Sequence, residues 1–141
     1  LLLLCGLMIS SLLLAEQKQD FGQYEVHYNA FDSTFIKPEI ANAYGLVRSK
    51  NRSLLNISVL KKQDGGLPES QKALVSGTVT NLIGQIVKLN FIEIDEGNAI
   101  YYIAPFTKSD DEYLKFKVDA RLNGSSSPMT VEFQQRFYVD R

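Results

Sequence analysis

The residue best suited to acid–base chemistry is His27, the only histidine of the 141-residue chain. Because imidazole changes its protonation near neutral pH, a hydrolase could use His27 as a general base. Such an enzyme also needs a nucleophile, and the sequence contains no Gly-x-Ser-x-Gly turn that would present one. A lone histidine on the outer face of a strand is usually a surface residue, so the sequence predicts no catalytic residue.

Metal binding is a second chemistry that the residue types argue against. Zinc and copper sites draw on several histidine or cysteine ligands. The chain offers one histidine and one cysteine, and that cysteine, Cys5, lies in an apolar N-terminal run. The acidic stretch 95–98 lacks the ligand spacing of a calcium loop and favours a hairpin turn. We therefore expect no metal site and no cofactor.

The densest polar cluster is the basic segment, residues 48–52, which contains Arg48, Lys50 and Arg52. It follows a stretch that is rich in aromatic residues. A basic rim beside aromatic surface could bind an anionic ligand or a partner, and the alternative is a solvated loop over packed aromatic side chains. We expect Arg48 and Arg52 to flank the functional surface. The candidate binding residues are Arg48, Lys50, Arg52, His27 and Tyr44.

The charges of the chain are nearly balanced, with 15 Lys and Arg against 16 Asp and Glu and a formal net charge of -1. Domains that bind nucleic acid carry an excess of positive charge to neutralise phosphates. The balance therefore argues against a nucleic-acid partner.

The first 15 residues, Leu1 to Ala15, contain no charge and are mostly leucine. This run is short for a membrane span, and the small residue at its end is typical of a secretory signal peptide. We expect residues 1–15 to be part of a signal peptide and residues 16–141 to form one domain, with no membrane span after cleavage. The alternative is a leader that is retained as an anchor.

Alternation of apolar and polar residues after the leader predicts about seven strands. We interpret 86–104 as a central hairpin whose first arm is buried on both faces or contains a bulge near Phe91. Pro38 and Gly45 bracket a predicted short helix. Gln135 falls in the inward row of the last strand, so it needs a partner or an edge position. The predicted strands are residues 24–30, 55–59, 74–80, 86–94, 99–104, 113–120 and 131–139.

This pattern predicts an all-β fold, an immunoglobulin-like antiparallel β-sandwich with one short helix. Several segments also resemble an uncharacterised family of small exported proteins of Gram-negative bacteria, domain of unknown function 4426 (DUF4426). The resemblance implies export and a single β-rich domain, and it implies no activity and no functional residues. The segments that carry it are residues 21–31, 38–39, 43–45, 47–52, 54–57 and 136–140.

Without a catalytic constellation, the sequence favours an exported, periplasmic module that binds a ligand or another protein and is not an enzyme. A fold class alone does not decide function. Two alternatives stay open: a small periplasmic hydrolase or ligand-processing enzyme that uses His27, and a purely structural component of the cell envelope. The expected partner is an unidentified protein or an anionic ligand in the cell envelope.

The leader gives a direct test of export. N-terminal sequencing of the protein from the cell envelope should begin near Glu16, because a signal peptidase removes the apolar run. An intact leader on a protein recovered from the cytoplasm would contradict the export prediction.

Overall fold

The computed structural model describes residues 17–139, which form two antiparallel sheets packed face to face. The all-β sandwich with one short helix is confirmed, with ten strands in place of about seven. Sheet A has the order β1-β2-β3-β8-β7, with β4 paired to β3, and sheet B has the order β10-β9-β5-β6. The strands are β1 (Lys18–Phe21), β2 (Tyr24–Asp32), β3 (Arg52–Lys61), β4 (Glu69–Ser70), β5 (Ala73–Asn81), β6 (Ile86–Leu89), β7 (Ile92–Asp95), β8 (Ile100–Thr107), β9 (Glu112–Leu122) and β10 (Met129–Phe137).

The central hairpin of the sequence prediction is correct only in its second half. β7 and β8 pair through the turn at Asp95, where Glu96 donates its backbone N–H to Ala99 at 2.8 Å. The first arm, 86–94, is two strands in different sheets, because the chain leaves sheet B after Leu89 and enters sheet A at Ile92. This crossing accounts for the change of alternation near Phe91. Neither a bulge nor a doubly buried strand is present there.

The sandwich core follows the predicted alternation. Sheet A contributes Val26, Leu55, Ile57 and Val59, all fully buried, which face the apolar rows of β9 and β10. Each such side chain stabilises the fold by roughly 1.5–3 kcal/mol. Aromatic rings fill the space between the sheets, with centroid distances of 4.3 to 5.9 Å; the rings are those of Tyr28, Phe106, Phe116, Phe133 and Phe137.

A second apolar cluster lies on the outer face of sheet A, beneath the helix α1 (Pro38–Tyr44). Pro38 starts the helix because its fixed φ suits the first turn, and Gly45 ends it in the left-handed conformation at φ 68°. A 3-10 turn, Ser33–Phe35, links β2 to this helix. This link places α1 across the outer face of sheet A. Ala41 of the helix and Leu46 after it pack there on Leu54, Ile94 and Ile103. Within residues 17–139, no helix has the length and apolar character needed to cross a membrane.

At Gly77 of β5, the neighbouring strand β9 leaves no room for a side chain. Gly77 pairs with Val118, and a Cβ at Gly77 would lie 2.7 Å from the backbone oxygen of Lys117. Because backbone cannot yield as a flexible side chain can, Gly77→Ala should lower the free energy of unfolding by about 1–3 kcal/mol in urea titrations. Gly66→Ala is the matched control, since its nearest neighbour would be 4.0 Å away. Equal stabilities of the two variants would contradict this prediction.

Candidate functional site

The basic segment lies between α1 and β3, at the end of sheet A where β2 finishes. Arg48, Lys50 and Arg52 are all exposed there. Arg48 donates a hydrogen bond from Nη2 to the backbone oxygen of Thr34 at 3.0 Å. The buried Ser33 hydroxyl accepts from the Ser49 N–H at 2.9 Å and donates to the Ser49 carbonyl at 2.8 Å, so the segment is held against the 3-10 turn. That these arginines flank a functional surface stays a prediction.

Tyr44, another predicted site residue, borders a cleft of about 500 Å³ between α1 and the outer face of sheet A. Small-molecule sites in proteins are commonly clefts of this size with mostly apolar walls and a few polar groups. We call it the α1 cleft. Its lining residues are Phe31, Ile36, Ile40, Tyr44, Asn56, Ile94, Glu96, Tyr101 and Ile103.

The strand order explains which side chains form the floor of the α1 cleft. β3 lies between β2 and β8, and Asn56 of β3 is paired with Asn29 on one side and Ile103 on the other. Leu55 and Ile57 point into the core, so the intervening Asn56 points to the outer face. Its amide oxygen Oδ1 is buried and has no hydrogen-bond partner among the described residues. Buried polar atoms without partners are rare in folded proteins, so this oxygen is a candidate ligand contact.

His27 lies on the same outer face as Asn56, but it is not among the residues that line the α1 cleft. Its Nε2 donates a hydrogen bond to Oε2 of Glu25 at 2.8 Å, and Lys18 lies 3.4 Å from the other carboxylate oxygen. The hydrogen bond from His27 is the main cause that lowers the pKa of Glu25, and Lys18 adds to the effect against the opposing effect of burial. Ser58 is directly opposite His27 on β3.

A polar cluster that sequence reasoning missed closes one end of the sandwich. Asp32, Ser53 and Lys108 share the inner face of sheet A beyond its last apolar residues. The Lys108 ammonium bonds Oδ1 of Asp32, and the Ser53 hydroxyl donates to the same oxygen at 3.4 Å. Lys108 is only 4 % exposed, which is unusual for lysine, and Asp32 supplies the partner that a buried ammonium needs. The sequence did contain a signal for this cluster. Lys108 continues, at the same two-residue spacing, the inward-facing row of Tyr102, Ala104 and Phe106.

Gln135 faces this cluster from β10, which is an edge strand of sheet B as the sequence required. Its amide oxygen is buried without a hydrogen-bond partner in the described part of the chain. The open space here is about 290 Å³, smaller than the α1 cleft, and Asp32 and Lys108 already satisfy each other. The polar cluster therefore presents fewer free groups to a ligand than the α1 cleft does.

The described residues 17–139 contain no group of three or more His, Cys, Asp or Glu side chains that could hold a metal ion. Tyr44 of α1 lines the α1 cleft, whereas His27 and the residues of the basic segment are not among its lining residues. The predicted site residues therefore lie in two places. Tyr44 and His27 are on the outer side of sheet A, and the basic segment is at one end of it.

Comparisons with solved structures place this fold among known ones. A DUF4426 family protein from Pseudomonas aeruginosa PAO1 is 36% identical, with a TM-score of 0.78 over 89% of this chain and 97% of that one. FetP of uropathogenic E. coli strain F11, expressed in the periplasm of E. coli, is 14% identical, with a TM-score of 0.65 over 90% and 96% of the chains. A copper-bound FetP variant is also 14% identical, with a TM-score of 0.64 over 89% and 99%. The FetP likeness shows the fold alone.

The family comparison covers nearly the whole described chain. No curated protein matches the sequence. The model of the domain of unknown function DUF4426 matches residues 18–140. Together with the identity to the Pseudomonas protein, this match shows that the chain belongs to the DUF4426 family.

Proposed function

We propose that the chain is an exported, periplasmic binding module without enzymatic activity, and that its ligand occupies the α1 cleft. The observation that carries this proposal is the buried, unpaired amide oxygen of Asn56, a residue that lines a cleft whose other lining residues are mostly apolar or aromatic. When the Asn56 side chain turns toward the cleft, a ligand that donates a hydrogen bond would satisfy this oxygen and would cover the apolar walls at the same time.

The way in which α1 packs also supports a cleft that serves binding. Ala41 of the helix and Leu46 just after it cover Leu54, Ile94 and Ile103, on one side of the outer face. Ile40 and Tyr44 remain more than a third exposed, although both line the cleft. Apolar side chains that border a concave surface and stay open to solvent are typical of binding sites.

Export is supported by the uncharged leader, residues 1–15, which lies outside the described residues. It is also supported by the shared fold of FetP, which was produced in the periplasm. Absence of enzymatic activity is supported by the place of His27, which is not among the residues that line the α1 cleft, and by the lack of a Gly-x-Ser-x-Gly turn in the sequence.

Copper is bound by the FetP variant, and within residues 17–139 the side chains do not fit a copper site. Copper prefers histidine, cysteine and methionine donors in a set of three or four. His27 is the only histidine, and the Lys18 ammonium beside its partner Glu25 would repel a bound cation. Met129 is buried in the sandwich core. We therefore derive no role for copper in this chain.

The cleft can be tested with N-phenyl-1-naphthylamine, a neutral apolar dye that becomes fluorescent in apolar sites. We expect saturable binding of one dye per chain with a Kd on the order of 0.1 mM or tighter. Ile40→Trp should fill the cleft from the helix side and weaken dye binding at least about tenfold, because indole would occupy the space of the dye. Fluorescence titration of the wild type and the variant gives both values.

The control for this test is the tip of the β5–β6 hairpin, where Leu82 and Ile83 are 75% and 79% exposed. Replacing both by serine removes an exposed apolar surface away from the cleft and should leave dye binding unchanged. If the tip variant loses the dye and Ile40→Trp keeps it, the binding surface is the hairpin and the α1 cleft is not the site.

The Glu25–His27 pair can be tested through the pH dependence of stability. The folded-state pKa of Glu25 is below its ordinary value of 4.5. Its contribution to the free energy of unfolding is therefore present above about pH 4.5 and lost as the pH falls through the lower folded-state pKa. Glu25→Gln should destabilise the protein at pH 7, and its difference from the wild type should shrink toward pH 3 in urea titrations.

Asp64→Asn, in an exposed loop, is the control and should follow the wild-type pH profile. A catalytic role predicts something else. If Glu25→Gln kept the wild-type pH profile of stability but abolished turnover found in a hydrolase screen, the alternative enzyme that uses His27 would be correct.

A further inference from the structure

We propose that the α1 cleft takes a small organic cation, an amine carried on an apolar or aromatic body. This inference rests on the proposed function, since it names the ligand class of the same cleft. It differs from the anionic ligand expected from the basic segment, and the difference comes from which side chains line the cleft.

The charge at the α1 cleft is negative. Glu96 is the only charged residue among the nine that line the α1 cleft, and no Lys, Arg or His is among them. Within the described residues, the Glu96 carboxylate forms no ion pair. The nearby Lys72 instead lies 3.8 Å from both Glu93 and Asp95, which alternate with the cleft-facing Ile94 on β7. An anion in the cleft would meet a carboxylate with no counter-charge, whereas a cation would be attracted.

Hydrogen bonding is the second argument. The Asn56 Oδ1 atom is a buried acceptor without a partner. An ammonium group offers up to three N–H donors, whereas a carboxylate offers none. A purely hydrocarbon ligand would leave this oxygen buried and unpaired, which is unfavourable.

The aromatic lining is the third argument. Phe31, Tyr44 and Tyr101 come from β2, α1 and β8 and border the same cleft. The face of an aromatic ring carries partial negative charge and attracts a cation, and this attraction grows when the cation is desolvated. The same rings also pack against an apolar ligand body. The lining therefore favours an organic cation, because it combines a hydrogen-bond acceptor, a carboxylate and the faces of aromatic rings.

Three probes with the same naphthalene body separate charge from apolar contact. They are 1-naphthylmethylammonium, the neutral 1-naphthalenemethanol, and the anionic 1-naphthaleneacetate. In isothermal titration calorimetry at pH 7, we expect the ammonium to bind at least about tenfold more tightly than the alcohol, and the acetate to bind more weakly than the alcohol.

Glu96→Gln removes the charge at the cleft and keeps the side-chain size. It should weaken ammonium binding at least about fivefold and change alcohol binding by less than about twofold, because only the charged probe uses the carboxylate. Glu39→Gln is the matched control: Glu39 is exposed on α1 and does not line the cleft. It should leave both affinities unchanged.

Each other outcome overturns the inference. If the alcohol or the acetate binds as tightly as the ammonium while the dye still binds in an Ile40-dependent way, the cleft binds ligands but does not select cations. If the ammonium is preferred and Glu96→Gln does not weaken it, the cation binds elsewhere. If neither the naphthyl probes nor the dye binds, the proposed function fails together with the ligand class.

Discussion

Sheet A carries apolar side chains on both of its faces, and covering the second face is the constraint on which the rest of the structure depends. In β3, the adjacent residues Leu54 and Leu55 are both buried, although they point to opposite sides. Sheet B covers Leu55, and something else must cover Leu54. The short helix α1 does this, held in place by Pro38 at its start and Gly45 at its end. A helix of seven residues is too short to cover the whole face, and the α1 cleft is the part that it leaves open.

The same constraint is met where the chain changes sheets after β6. Leu89 is buried between the sheets, whereas Ile92 and Ile94 belong to the outer cluster with Ile103. Ile92 and Ile94 lie together on the outer face of β7, because side chains two residues apart share a face. By crossing at Asn90 and Phe91, the chain places each set in its own cluster and gives sheet A its edge strand β7. The turn after β7 then brings Glu96 to the rim of the cleft.

Much of the fold could be predicted from the sequence because alternation is a local signal. The predicted inward rows that contain Val26, Ile57 and Phe116 do form the core. The predicted short helix between Pro38 and Gly45 is also present. The strands β1 and β4 have no apolar alternation, so the pattern could not reveal them. The prediction of residues 86–94 as one arm of a hairpin failed for the same reason. A run of apolar residues has the same sequence pattern whether it lies in one sheet or is divided between two.

The site was less predictable because it depends on residues that are distant in the sequence. Tyr44 was selected for its place beside the basic segment, and the structure instead puts it on the α1 cleft with Asn56 and Glu96. Asn56 looked like an ordinary outward residue of a strand, and only the packing of α1 shows that its oxygen is buried. His27 was singled out by its rarity, which says nothing about where the chain places it.

The buried pair of Asp32 and Lys108 has a consequence for how the chain selects its native pairing. The two residues are 76 positions apart, and they meet only when β2, β3 and β8 are aligned as observed. A two-residue slip of β8 along β3 would keep Lys108 on the inner face but separate its ammonium from the Asp32 carboxylate, and an uncompensated buried charge is strongly destabilising. Compared with an apolar pair, the ion pair adds little stability of its own, but it penalises misaligned sheets. The ion pair therefore favours the native alignment of β2, β3 and β8 over other alignments of the same strands.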